Sequence, residues 1–251
     1  METQNSILTR RNFFKTSTLV AGALLGAGGM QPLGAHPAHA HPTPQTNTLK
    51  AQNNEPNRSR GRMFFTRDDD FSVLSAAIER IFPEDDLGPG AIKLGVAFFI
   101  DNQLAGSYGH NAREYMQGPF EKGTPTQGYQ TPMIRQEIFL EGVRALERES
   151  LKRFQKSFFN IPARSQDVIL KDFEANKVAM IGTSSGYFFS LLREMTLCGV
   201  YADPIYNGNI GMAGWKMKEF PGAQMSYLPY IADKNFQKLE PVSLSDMQGG
   251  M

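Results

Sequence analysis

The chain has 251 residues, with 26 Lys plus Arg against 25 Asp plus Glu, four histidines and a single cysteine. This near-neutral balance offers no electrostatic footprint for nucleic acid. Cys198 alone excludes an intramolecular disulfide, a cysteine-ligated iron–sulfur cluster and a C-x-x-C-H haem attachment, and histidines only at 36, 39, 41 and 110 exclude a histidine-rich zinc or di-iron site.

Residues 1–40 read as a signal peptide. Arg10 and Arg11 stand side by side, Phe13 and Lys15 close the basic run, a weakly apolar stretch runs from Thr16 to Gly29, and Ala38-His39-Ala40 supplies small residues for cleavage after Ala40. The paired arginines mark the twin-arginine route, so the expected destination is the periplasm, reached through the twin-arginine translocase. The apolar stretch is too short and too rich in glycine for a permanent span. Cleavage leaves 211 residues, 23 of them Lys or Arg and 24 Asp or Glu, a net charge of about −1. No run of eighteen apolar residues remains, so the mature chain is expected to have no transmembrane segment. His36, His39 and His41 belong to the junction tract rather than to a metal site.

Residues 41–62 are polar and proline-containing and read as a flexible leader. A helical domain follows over residues 63–225. Thr66 is placed to cap the first helix, with Asp69 completing a capping-box-like pair, and Phe71, Leu74, Ile78 and Ile81 recur at helical spacing until Pro83. Asp68, Asp69 and Asp70 suit the positive end of that helix. After the turn Glu84–Gly90, a second helix is expected from about Ala91 to Leu104, with Leu94, Phe98 and Ile100 inward. Residues 105–130 are rich in Gly, Pro and Gln and read as a long loop.

Thr131-Pro132 is expected to open the longest helix as cap and first residue. Phe139, Val143 and Leu146 form one stripe, Ile134 and Ile138 a second, and Glu149 and Arg153 are spaced for an ion pair. Ser165 is placed to cap a short helix carrying Val168, Ile169 and Phe173. The next helix is expected from about Ser184 to Cys198, with Phe188, Leu191, Leu192, Met195 and Cys198 inward and Gly199 as a left-handed C-terminal cap. Past Gly199 there is neither helical nor alternating period. Residues 226–251 read as an extended C-terminal tail. The fold class is all-α: an irregular helical domain with long loops.

Few residues advertise chemistry. The acidic groups at 68–70 and 84–86 lack EF-hand spacing and are explained by capping and turn solvation. Glu137 and Glu141 lie four apart, but no helix-borne histidine joins them, so they read as surface charge. Ser107, His110 and Asp101 are too close in sequence for a known triad arrangement, and His110 reads as a solvated loop residue. Cys198 reads as a small buried hydrophobe. No glycine-rich nucleotide fingerprint is present. The remaining feature is the segment Tyr201 to Phe220, where aromatics alternate with glycines. Two readings stay open: a docking surface of stiff side chains, or a loop folded back on its own helices with Trp215 in the core.

A family resemblance rests on several pieces in order: Ile81-Phe82-Pro83, Pro89-Gly90-Ala91, Phe99-Ile100-Asp101, Gln103-Leu104-Ala105-Gly106, Phe188-Phe189, Leu191-Leu192, Tyr201-Ala202-Asp203-Pro204, Tyr206, Gly208-Asn209, Trp215 and Phe220-Pro221-Gly222. Together they resemble the gluconate 2-dehydrogenase subunit 3 family, the small subunits of membrane-associated FAD-dependent dehydrogenases, over most of residues 64–225. The resemblance implies a non-catalytic subunit with no cofactor of its own. It implies a large FAD-carrying partner of the glucose–methanol–choline class, often joined by a multihaem cytochrome c, that leaves the cell attached to the small subunit. It carries over no catalytic, cofactor-binding or metal-binding residue. Tyr201, Asp203, Tyr206, Trp215 and Phe220 are the expected partner-interface residues. Two alternatives compete: an independent periplasmic enzyme, and a stand-alone periplasmic binding or assembly protein without an oxidoreductase partner.

Overall fold

The computed structural model describes residues 61–121 and 123–248. The expected signal peptide, with Arg10, Arg11, Phe13, Lys15, Ala38 and Ala40, the histidines at 36, 39 and 41, and nearly all of the expected leader lie outside the described residues. Seven α-helices occur among those described: α1 Asp68–Ile81, α2 Val96–Ala105, α3 Arg135–Phe154, α4 Ala163–Glu174, α5 Ser185–Tyr201, α6 Ala213–Met217 and α7 Leu244–Gln248. Among the described residues there is no strand, only two isolated bridges, so the all-α expectation holds. No described helix is long and apolar enough to cross a membrane.

The core forms because α1 carries apolar residues on a wide face. Val73, Leu74, Ala77, Ile78 and Ile81 are all buried, and α1 packs against α2, α3, α4 and α5. Ile138, Phe139, Val143 and Leu146 of α3, Ile169 and Phe173 of α4, and Phe188, Leu191, Leu192 and Met195 of α5 close around it. Each such side chain contributes about 1.5–3 kcal/mol by leaving water. The exposed ion pairs add about 0–1 kcal/mol each, so apolar burial sets the arrangement. The expected Glu149–Arg153 pair is present at 2.8 Å, and Arg153 reaches on to Asp172 of α4 at 2.7 Å. Arg80 of α1 makes a two-pronged contact with Asp167 of α4, at 2.8 and 3.2 Å.

Several helix ends differ from their sequence expectations. Thr66 does not cap α1, which starts at Asp68 after Arg67 with no side-chain cap bond. The acidic first turn is used instead for ion pairs: Asp68 with Arg62, and Asp70 with Arg144 of α3. Pro83 does end α1. Helix α2 begins at Val96, not Ala91, because Gly95 takes a left-handed conformation (φ 75°) and breaks the run. Phe98 is half-buried against Phe71, and its neighbour Phe99 takes the core position.

Thr131 and Pro132 precede α3 rather than opening it. The Thr131 hydroxyl accepts from the Met133 N–H and donates to the Gly182 carbonyl, tying two loops. The α3 start is completed by Glu137, whose carboxylate accepts from the Ile134 N–H at 3.0 Å. Glu141 is likewise more than surface charge: it pairs with Arg148 and accepts from the Ile181 N–H. Ser165 lies inside α4, which starts after Pro162, and Val168 faces solvent.

Ser184 caps α5 as expected, accepting from the Tyr187 N–H. Gly199 does not end it, because α5 continues to Tyr201. A Cβ on Gly199 would stand 2.8 Å from Phe99 and 2.9 Å from Val96, so the missing side chain lets α2 approach α5. Cys198 is exposed rather than buried. Partial burial of the sulfur, with Glu194 one turn away, pushes its thiol above the usual range and disfavours the thiolate.

Asp101, from the expected second helix, is fully buried. Its carboxylate accepts from the backbone N–H groups of Met63, Phe64 and Phe65. This charge-assisted cluster fixes the first described turn onto α2. Asp101→Ala should lower stability by about 2–4 kcal/mol, because it strands buried donors as well as losing their acceptor. Denaturant unfolding checks this, and a change under 1 kcal/mol would contradict the assigned role.

Candidate functional site

The segment after α5 folds into a compact module held by its own backbone. Pro204–Tyr206 and Ile210–Met212 are short 3₁₀ turns, and α6 follows. Asn207, Asn209 and Met212 have positive φ. That conformation suits asparagine better than most side chains, and it is why the segment shows no sequence period. Gly208 and Gly214 sit against the end of α5: a Cβ would lie 2.4 Å from the Gly199 carbonyl oxygen and 2.1 Å from that of Val200.

Three polar side chains lock the module. Asn209 is fully buried, donates to the Ala202 carbonyl at 2.8 Å and accepts from the Gly214 N–H at 2.7 Å. Trp215 is 6% exposed, and its indole N–H donates to the Tyr201 carbonyl at 2.8 Å. Asp203 accepts from the Ile205 N–H with one oxygen and from the Leu244 N–H with the other. The last contact brings α7 onto the Pro204–Tyr206 turn.

The five expected interface residues therefore divide. Trp215 lies inward, as in the folded-back reading, with Phe220 edge-on to it at 5.4 Å. Tyr201 is half-buried beside Phe82. Tyr206 and Phe220 are 51% and 48% exposed. The structure brings all five into one module and leaves two aromatic rings outermost. Asn209 carries as much of the module as Trp215, yet its role was not read from the sequence. The signal was there: the run Asn207-Gly208-Asn209 marks left-handed backbone.

The segment from 226 onward is not simply extended. The Ala223 N–H donates to the Val242 carbonyl, and the Val242 N–H to the Pro221 carbonyl, so a neck closes a loop between them. Gly222 (φ 72°) has no room for a Cβ between Val242 and Trp215. Met247 belongs to α7.

The other candidates resolve into structural roles. Asp101 is committed to the backbone at 63–65 and is not offered to His110, which is exposed and lies 3.3 Å from the Gln136 side chain. Glu84 pairs with Lys93, and Asp85 accepts from the Leu87 N–H. On another face, Arg135 pairs with Glu114 and stands 4.4 Å over the Tyr108 ring. Burial pushes the Tyr108 hydroxyl well above its usual range despite Arg135, so it stays neutral. Tyr129 stacks on Tyr187 at 3.9 Å, fixing the long loop before α3 against α5.

The described domain is thus all-α, with an aromatic, glycine-rich module locked onto the end of α5 by Asn209 and Trp215. The chain belongs to the gluconate 2-dehydrogenase subunit 3 family, whose model matches residues 68–222, and it is thus a subunit of a dehydrogenase complex. No curated protein and no solved structure gives a match.

Asn209→Ala should destabilise the domain by about 2–4 kcal/mol, since it strands a buried carbonyl and a buried N–H together. Thermal unfolding measures this, and a melting temperature equal to that of the parent chain would exclude Asn209 as the lock.

Proposed function

We propose that this chain is the non-catalytic small subunit of a periplasmic FAD-dependent dehydrogenase complex. It escorts the large catalytic subunit, of the glucose–methanol–choline class, through the twin-arginine translocase and stabilises it afterwards. The complex would oxidise a sugar, sugar acid or alcohol, and where a multihaem cytochrome c subunit completes it, that subunit would receive the electrons. FAD would belong to the large subunit.

The observation that carries this reading is the module at 201–222: two exposed aromatic rings, Tyr206 and Phe220, mounted on a backbone fixed by buried Asn209 and Trp215 and by half-buried Asp203. Rigid aromatics lose little conformational freedom on binding and are favoured at the centres of interfaces. Family membership supplies the partner class. Arg10, Arg11, Phe13 and Lys15, with Ala38 and Ala40, support export. The single cysteine and the four histidines support placing the redox group on another chain. Stabilisation follows from mass action, because a partner that binds only the folded large subunit adds to its stability.

Two experiments test the reading. A Tyr206→Ser, Phe220→Ser double variant should lose most of the flavin that co-purifies with the tagged chain, with its own melting temperature within a few degrees of the parent. Trp215→Ala should lose both flavin and stability. Undiminished flavin in both variants would remove the interface assignment. For export, replacing Arg10 and Arg11 by lysines should leave precursor and flavin subunit together in the cytoplasm. Normal periplasmic activity in that variant would refute the escort role.

A further inference from the structure

The loop between the neck residues Ala223 and Val242 carries a dense run of exposed apolar side chains. Met225, Leu228, Ile231 and Phe236 are 87%, 75%, 72% and 88% exposed, with Tyr227 and Tyr230 also outward. Isolated exposed hydrophobes need no explanation, but a run of six within twelve residues does. A solvent-facing loop gains nothing from such side chains and would favour polar ones.

The loop is also held in place. The Gln224 side chain donates to the carbonyls of Pro221 and Glu240, and Lys238 pairs with Glu219 at 2.6 Å. Its base is fused to the module: Gly222 lies against Trp215, and Leu244, just past the neck, is bound to Asp203. Phe220 and the Tyr206 turn therefore flank the neck, so the loop leaves the module beside its two exposed aromatic rings. Between 216 and 240 there are four lysines against three acidic residues. Such a balance lacks the basic excess that an anionic lipid surface would select. The family match ends at Gly222, so the loop follows directly on the matched residues, at the edge of the exposed module.

We propose that residues 225–236 form a second contact on the large, flavin-carrying subunit, an apolar arm that extends the interface begun by Tyr206 and Phe220. The inference rests on the function proposed above. The arm would fit an apolar, uncharged depression on the partner, with Leu228, Ile231 and Phe236 as the inserted side chains. Pinning at the neck shortens the segment that must become ordered on binding and lowers that entropic cost.

The test uses the full-length chain, tagged and produced in its own cells, carrying Leu228→Ser, Ile231→Ser and Phe236→Ser together. Flavin absorbance per tagged chain should fall roughly tenfold or more, as for loss of a hot-spot cluster. The melting temperature of the isolated variant should stay at the parent value, since these side chains are outside the core. Undiminished flavin would overturn the proposal. So would retained flavin combined with loss of self-association in light scattering, which would make the occupant a second copy. Retained flavin with loss of flotation on phosphatidylethanolamine–phosphatidylglycerol vesicles would instead assign the arm to lipid and overturn it equally. The Tyr206, Phe220 double variant separates the two readings. If it loses flavin and the arm variant does not, only the arm falls. A parent chain that carries no flavin would remove the proposed function itself.

Discussion

Helix α5 ends inside the protein, and its last carbonyl groups have to be satisfied there. A helix leaves its final C=O groups without intrahelical partners, and a buried one costs about 1–3 kcal/mol if nothing replaces water. Here the Trp215 indole N–H serves Tyr201, and the Asn209 side chain serves Ala202. Gly208 and Gly214 allow the returning backbone to approach the carbonyls of Gly199 and Val200. The irregular path of residues 203–215, with its left-handed asparagines, follows from that requirement. Whatever the outer surface does, its shape is set by the end of one helix.

The bundle itself was legible in the sequence because its long helices are amphipathic. Leu74, Ile78 and Ile81, or Phe139, Val143 and Leu146, repeat at a spacing that has one physical meaning. Helix ends were less legible. Thr66, Thr131 and Ser165 are residues that favour caps, but they favour turns as well, and local propensity does not decide between them. Gly199 shows the same ambiguity from the other side. Glycine both terminates helices and lets them touch, and only the position of Phe99 and Val96 selects the second role. Cys198 and Val168 fell on the wrong face because a stripe read one residue too wide turns outward.

The aromatic module was legible as composition but not as geometry. Its concentration of Tyr, Trp and Gly marked it as special, yet the inward position of Trp215 depends on a hydrogen bond to a carbonyl fourteen residues earlier. Asn209 depends on partners at 202 and 214. Non-local bonds of this kind leave no period in a sequence. The neck that closes the C-terminal loop is of the same type, and it turns what reads as a tail into a tethered arm.

Asp203 joins two distant parts of the chain with one carboxylate, capping its own turn at Ile205 and holding Leu244 forty-one residues on. The first bond closes a tiny ring, whereas the second must gather a long segment and bears a larger closure entropy. The far contact is therefore the costlier of the two to hold, and α7 is the arm that gives way more readily. The carboxylate thus behaves as a latch with one local and one distant arm, and losing α7 would leave one of its oxygens without the Leu244 N–H, beside the Tyr206 turn.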